Sequence, residues 1–442
     1  MNFLKMILVF ATTVCMAQAN YNIKGHFEST ANKEIVLKGF TSEAAFILNK
    51  TTIDSNGNFI INYPADYVGA ALLDINNGKK LIVLLNHENF EIQWDDLNTT
   101  KSLKFTNSVE NTTFDYGLSL YQNTNEKKVG ISYLLPYYEN DNVKRTFFKN
   151  ELAQLNQAIP DYMNGLSVKL YASYYLKIRV LMADYATSIK RNPKGIPALE
   201  QTFNQINFAD ERLIHSGLYY ELLETHVVAM EYYGEKATQQ LNQSTDKILA
   251  SLKSKPELKQ NVAEYLFNLF EKRSLFESSE HIALAMLNDD TCQLDDKHKA
   301  LFEQYRKMAN GKTAPNIELL AAKTVNLYNL KSNYKLVVFG ASWCSKCVEE
   351  IPKLKAFYAD WKKKHNIEII FVSLDTDKNE YANFTKDFPW LSSCDFFFFL
   401  TKAARDYCVF ATPTIYLLDA NNTIKIKPIS ADQVNAWLDL HP

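Results

Sequence analysis

The hydrophobic period of this chain changes twice, and no single class of fold can satisfy all three patterns. From Tyr21 to about Phe105, runs such as EIVLKGF, FIINY, KLIVLL and NFEIQW alternate apolar with polar residues or concentrate β-branched ones, with turn residues between them. Asp54-Ser55-Asn56-Gly57-Asn58 supplies the positive-φ positions of a hairpin turn. Strands roughly every ten residues predict an antiparallel β-sandwich over 20–106. Between about Glu110 and Gly311 the period becomes three and four, with breaks at Pro160, Asn192-Pro193, Gly234 and Pro256. This predicts an all-α region of about six to nine helices over 107–310, in which the tyrosine pairs 174–175, 219–220 and 232–233 read as core packing. From Gly311 the pattern alternates again. Buried strands at 334–339, 367–374 and 414–418, with helices at 348–365, 381–388 and 430–440, predict an α/β domain over 311–442.

At 442 residues the chain has room for about two to four domains. Its 48 basic and 50 acidic side chains nearly balance and form no Lys/Arg run, so a nucleic-acid backbone finds little to hold it. The first 19 residues read as an export leader: Lys5, an apolar stretch from Met6 to Ala17, then Ala17-Gln18-Ala19. The apolar stretch is too short to span a bilayer. Val14 before Cys15 argues against a lipid-attachment signal, which leaves a soluble exported chain as the expectation and lipid anchoring through Cys15 as the alternative.

Six cysteines are too few for a disulfide-stapled scaffold of this size. Cys15 goes with the leader, and the remaining five are odd in number, so at least one stays unpaired within the chain. Cys292 reads as an inert thiol. Cys394 and Cys408 could form a bond or remain separate buried thiols. The run Phe396 to Phe399 reads as buried packing, with a docking surface as the alternative. His26, His87, His215 and His226 have no partner at metal-ligand spacing, and no metal or other cofactor is expected.

The chemistry-bearing segment is the passage from strand 334–339 through Gly340-Ala341-Ser342 into Trp343-Cys344-Ser345-Lys346-Cys347 and a helix. A cysteine at a helix N-terminus meets unpaired N–H groups and the positive end of the macrodipole, which favour thiolate. Cys344 is therefore the candidate nucleophile. Cys347, one turn on, can attack a mixed disulfide formed at Cys344. Lys346 adds a largely screened positive charge. A bare Cys-x-x-Cys also supplies half of a zinc site, but Cys394 and Cys408 complete no zinc-ribbon spacing. Ala341 stands where a peroxiredoxin would place Thr or Ser.

With Trp343 before the pair, Glu350 and Pro352 after it, and Ala411-Thr412-Pro413-Thr414 some 66 residues beyond Cys347, the segment resembles the thioredoxin superfamily. Together with Ala314-Pro315, these residues resemble the TlpA/ResA-type thiol-disulfide oxidoreductases of bacterial envelopes. The resemblance implies a C-terminal thioredoxin-like domain and a cis Thr412-Pro413 peptide beside the dithiol. It also implies client contacts at Trp343, Ser345, Lys346, Thr412 and Pro413, and a proton-handling role for Glu350 beneath the dithiol. Val338 replaces the buried Asp of thioredoxin itself. The order of β module, helices and α/β domain is similar to that of exported Bacteroidetes proteins, which makes the periplasm the expected location. The implied activity is reduction of disulfide-bearing client proteins, with electrons from a membrane donor. A disulfide isomerase, or a non-catalytic envelope binding protein on a thioredoxin scaffold, are the alternatives.

Overall fold

The computed structural model describes residues 20–27, 30–75, 78–289, 293–319 and 325–441. The leader, Cys15 and Cys292 lie outside them. The chain divides into two compact units, one ending at Tyr232 and the other beginning at Tyr233.

The first unit opens with β1 (Asn20–Phe27), β2 (Glu34–Phe40), β3 (Ala45–Thr52), β4 (Asn58–Pro64), β5 (Gly69–Ile75), β6 (Lys79–Leu85), β7 (Phe90–Trp94) and β8 (Leu103–Thr106). They form two four-stranded sheets, ordered β4-β1-β7-β8 and β3-β2-β5-β6. The alternation works as strand physics requires. Phe59, Ile61 and Tyr63 of β4 and Phe90, Ile92 and Trp94 of β7 enter one core while the residues between them face out. At the expected hairpin turn, Asp54 Oδ1 accepts the N–H groups of Asn56 and Asn58 at 2.8 Å each. Gly57 there has φ 84°, and a Cβ would fall 2.7 Å from Phe27 O.

The expectation of a purely antiparallel sandwich needs one correction: β1 pairs parallel with β7. The chain leaves for the second sheet as β5 and β6 and returns as β7 in the direction of β1, and such a return needs a crossover rather than a hairpin.

Six helices complete this unit: α1 (Val109–Leu134), α2 (Asn142–Gly165), α3 (Tyr171–Arg191), α4 (Ile196–Phe203), α5 (Glu211–Ile214) and α6 (Tyr219–Met230). Asn111 ties α1 to the sandwich by bonding both Leu84 N and Leu84 O, at 2.8 and 2.9 Å. Buried Glu110 accepts the N–H groups of Tyr171 and Ala172, so its charge satisfies the start of α3. Pro160 does not break α2, which runs through it. His226 stacks on Phe203 at 3.6 Å and bonds Tyr185, a packing role.

The second unit begins with α7 (Ala237–Ser251), α8 (Pro256–Lys272), α9 (Phe276–Leu287) and α10 (Asp296–Arg306). The short strands β9 (Glu318–Leu319) and β10 (Val325–Asn326) follow. The α/β part then runs β11 (Tyr334–Gly340), α11 (Ser345–His365), β12 (Ile367–Ser373), α12 (Lys378–Thr385), β13 (Leu391–Cys394), α13 (Lys402–Asp406), β14 (Thr414–Asp419), β15 (Ile424–Ile426) and α14 (Ala431–Leu440). The sheet order is β13-β12-β11-β14-β15, with β11, β12 and β13 parallel and β14 antiparallel to both neighbours. Leu336, Val338, Ile369 and Phe371 pack one sheet face against Ile351, Leu354, Tyr358 and Trp361 of α11, a three-four spacing that makes one apolar stripe. Lys362, Lys363 and Lys364 place positive charge at the negative end of α11, and Asn366 closes it in the left-handed region. Among the described residues no helix is long and apolar enough to cross a membrane.

Candidate active site

Central strand β11, buried on both faces, delivers the chain to the carboxyl end of the sheet, where crevices form in open α/β folds. The turn that follows is held by Asp375, which the sequence pattern did not single out. This fully buried carboxylate follows β12 and accepts Ser342 N at 3.0 Å, Ser342 Oγ at 2.7 Å and Ser373 Oγ at 2.7 Å. An acid just past a buried strand, beside the strand that leads to the dithiol, was the available signal. Asp375→Ala removes the acceptor of these three donors, of which Ser373 is fully buried and Ser342 partly so. The expected loss is about 3 kcal/mol in denaturant unfolding, and a loss below about 1 kcal/mol would contradict the anchoring role.

The helix starts three residues earlier than its apolar period suggests, at Ser345, because the Cys344 sulfur is its N-cap. Cys347 N–H donates to Cys344 Sγ at 3.2 Å, and the Cys344 thiol, when protonated, donates to Thr412 O at 3.3 Å. The Thr412-Pro413 peptide is cis. Cys344 is 8% exposed and Cys347 1%. A Cβ on Gly340 would lie 3.3 Å from Cys347 Sγ and 2.8 Å from the Phe371 ring, so glycine is what lets the inner sulfur tuck under the turn.

The two thiols are electrostatically unlike. Hydrogen-bond donation by Cys347 does most to hold the Cys344 pKa down at about 6; burial opposes it, while Thr412 and the N–H groups of Cys347 and Lys346 assist. Cys347 is pushed far above the ordinary thiol range, first by that same bond, which its ionisation would forfeit, and then by burial. One sulfur is thus poised to attack while the other keeps its proton.

Of the remaining expected site residues, Trp343 is half-exposed beside Cys344, Ser345 and Lys346 are exposed on the first turn, and Thr412 meets the Cys344 sulfur through its carbonyl, with Pro413 following it across the cis peptide. Glu350 lies on α11 three residues beyond Cys347 and is partly buried. Its carboxylate accepts Ala431 N at 2.9 Å and pairs with Lys353 at 2.7 Å, capping α14. Cys394 and Cys408 are separate, free, buried thiols. Cys394 donates to Asp375 O, and burial pushes Cys408 up to about 12.

The Phe396 to Phe399 run is not the buried packing expected of it. Phe397 is 65% and Phe398 43% exposed, followed by Leu400 at 71%. Phe396 packs edge-on to Tyr381 of α12 at 5.8 Å and Phe399 edge-on to Phe398 at 4.7 Å, both partly buried, while the loop between edge strand β13 and α13 leaves Phe397 and Phe398 exposed. Phe396 and Phe398 occupy the left-handed region, with φ of 65° and 57°, a conformation costing bulky residues about 1–3 kcal/mol each.

A thioredoxin-like family model matches residues 332–424. The thiol-disulfide oxidoreductase ResA of Bacillus cereus is 31% identical over 148 residues, which are 32% of this chain and 82% of that protein. The chain belongs to the ResA-type thiol-disulfide oxidoreductases of the thioredoxin superfamily. Nucleoredoxin of Xenopus laevis is 36% identical over 85 residues, 17% of this chain and 20% of that one. A solved thioredoxin-like protein from Bacteroides caccae shares 20% identity, with 54% of this chain and 90% of that chain covered and a TM-score of 0.40. As a ResA-type protein the chain is an oxidoreductase acting on disulfide-bearing substrates, and the family model spans both cysteines and the cis-proline.

Proposed function

We propose that this protein reduces disulfides of exported client proteins through a mixed disulfide on Cys344 that Cys347 resolves. The supporting observation is the asymmetry of the pair: a helix-capping sulfur held near pKa 6 beside a buried one that retains its proton. The Cys344 thiolate attacks one client sulfur, forms an S–S bond with it, and displaces the second client sulfur, which takes up a proton. Cys347 then gives up its proton and attacks Cys344 Sγ. The Cys344–Cys347 bond forms, the first client sulfur leaves as thiolate, and two electrons have passed from the dithiol to the client. Thr412 and cis-Pro413 form the edge along which the client chain lies, with Trp343, Ser345 and Lys346 on its other side. Glu350 acts as a positioning residue that holds α14 against α11. Export to the periplasm rests on the leader, and the reductive direction, with a membrane donor restoring the dithiol, rests on family likeness.

Cys347→Ser tests the route. It keeps the attacking sulfur and removes the resolving one, so incubation with an oxidised substrate such as insulin is expected to accumulate adducts that DTT releases and mass mapping assigns to Cys344. Adduct levels no higher than those of the Cys344→Ser/Cys347→Ser double variant would overturn it.

A further inference from the structure

We propose that Trp343, Phe397, Phe398 and Leu400 form a client-selecting platform beside Cys344, which favours disulfides whose cysteine is flanked by bulky apolar side chains. The proposal deepens the reductase reading and rests on it.

The loop meets the surface where the reaction must occur through Phe398 and Phe399, with exposed Phe397 and Leu400 adjoining them in sequence. Trp343 immediately precedes the attacking sulfur and is 48% exposed, and its ring lies 5.5 Å from that of Phe398 and 6.5 Å from that of Phe399. Thr412 O lies 3.3 Å from Cys344 Sγ. A client cysteine that reaches Cys344 therefore brings its neighbours to Thr412 and to Trp343 and Phe398.

The loop is held in shape rather than left to fold over itself. Asp395 Oδ1 accepts Phe397 N–H at 3.1 Å and the Thr401 hydroxyl at 2.6 Å, and Leu400 N–H and Thr401 N–H donate to Phe397 O and Phe398 O at 3.0 and 3.2 Å. Left-handed positions are ordinarily filled by Gly or Asn. Phe398 occupies one and still leaves much of its ring in water, so its apolar area is buried only when another surface covers it.

The chemistry of that surface follows from what the four side chains offer. None is charged, and the nearby Lys402 and Asp406 are paired with each other. These four side chains offer an acidic or basic flank no opposite charge, whereas Leu, Phe or Val gains area removed from water.

The test uses the full chain carrying Cys344→Ser and Cys347→Ser, so that binding is read without redox turnover. Two peptides of equal length are compared, with Leu/Phe or Ser/Gln around a blocked cysteine. The apolar peptide is expected to bind at least about tenfold tighter, and adding Phe397→Ser and Leu400→Ser is expected to bring the ratio near one, while Phe397→Leu preserves it. Equal affinities, or a preference that survives the two serine substitutions in a chain with an unchanged unfolding midpoint, would overturn the platform. Reduction of glutathione disulfide by the wild type is measured alongside. Its absence would sink the reductase reading alone, and the peptide ratio would still decide the platform.

Discussion

Cys344→Ser is expected to lower disulfide reduction by at least about a thousandfold, because a serine hydroxyl stays protonated where the thiol is ionised and cannot form the mixed disulfide. The same sulfur in the wild type is expected to alkylate in proportion to its thiolate fraction. Its pKa is lowered to about 6, so the reactive form is present above that value and lost as pH falls through it. The labelling rate should therefore be near its plateau by pH 7 and fall about tenfold per unit well below pH 6. Peptide mapping after iodoacetamide treatment between pH 4 and 9 separates Cys344 from the buried Cys347, Cys394 and Cys408. A rate still climbing steeply through pH 8 to 9 would mean an ordinary thiol and would remove the chemical basis of the reading.

The second large effect lies behind the sheet. Lys427, just past β15, is buried and paired with buried Glu271 of α8 at 2.8 Å. The ammonium lies 3.8 Å from the ring centroid of Phe276 and 5.1 and 5.4 Å from those of Tyr305 and Tyr416. Ser279 donates to the other Glu271 oxygen and also meets Tyr305. Lys427→Met leaves that carboxylate buried and unpaired, with an expected loss of about 3–5 kcal/mol in urea unfolding. Adding Glu271→Leu is expected to restore most of it, since an apolar pair of similar volume removes the desolvation problem along with the attraction. A single-variant loss under about 1 kcal/mol, or no recovery in the double variant, would contradict the pairing. These contacts belong to the unit that begins at Tyr233, and they fasten α8, α9 and α10 to the α/β sheet that carries the dithiol.

What could be read in advance depended on whether one residue type had one physical use. The runs at β11, β12 and β14 are apolar because both sheet faces are covered, so period and length identified them. The dithiol was legible because a cysteine pair at a strand-to-helix junction has few other purposes. By contrast, β13 is the polar tetrapeptide LSSC and β15 the tripeptide IKI, too short for any period. Asp375 looked like any loop acid until three donors converged on it. Four phenylalanines in a row signalled burial from hydrophobicity alone, yet the direction of the rings is set by backbone angles that the composition does not encode. The change of period near Gly311 marks where the sheet domain begins to read as α/β, whereas the compact unit begins at Tyr233, because Lys427 and its aromatic neighbours join helices to strands across that change.

The parallel pairing of β1 with β7 bears on biosynthesis. Asn22 and Asn89 hydrogen bond across 67 residues of sequence, and β1 lies in the interior of its sheet, between β4 and β7. A chain emerging from a ribosome presents β1 before β7 and must hold one of its edges open until Trp94 has appeared. Closure by such a distant partner is slow compared with a hairpin. The amino-terminal module should thus mature only after its whole length is released, and whatever shields that waiting edge governs how much of the chain survives to fold.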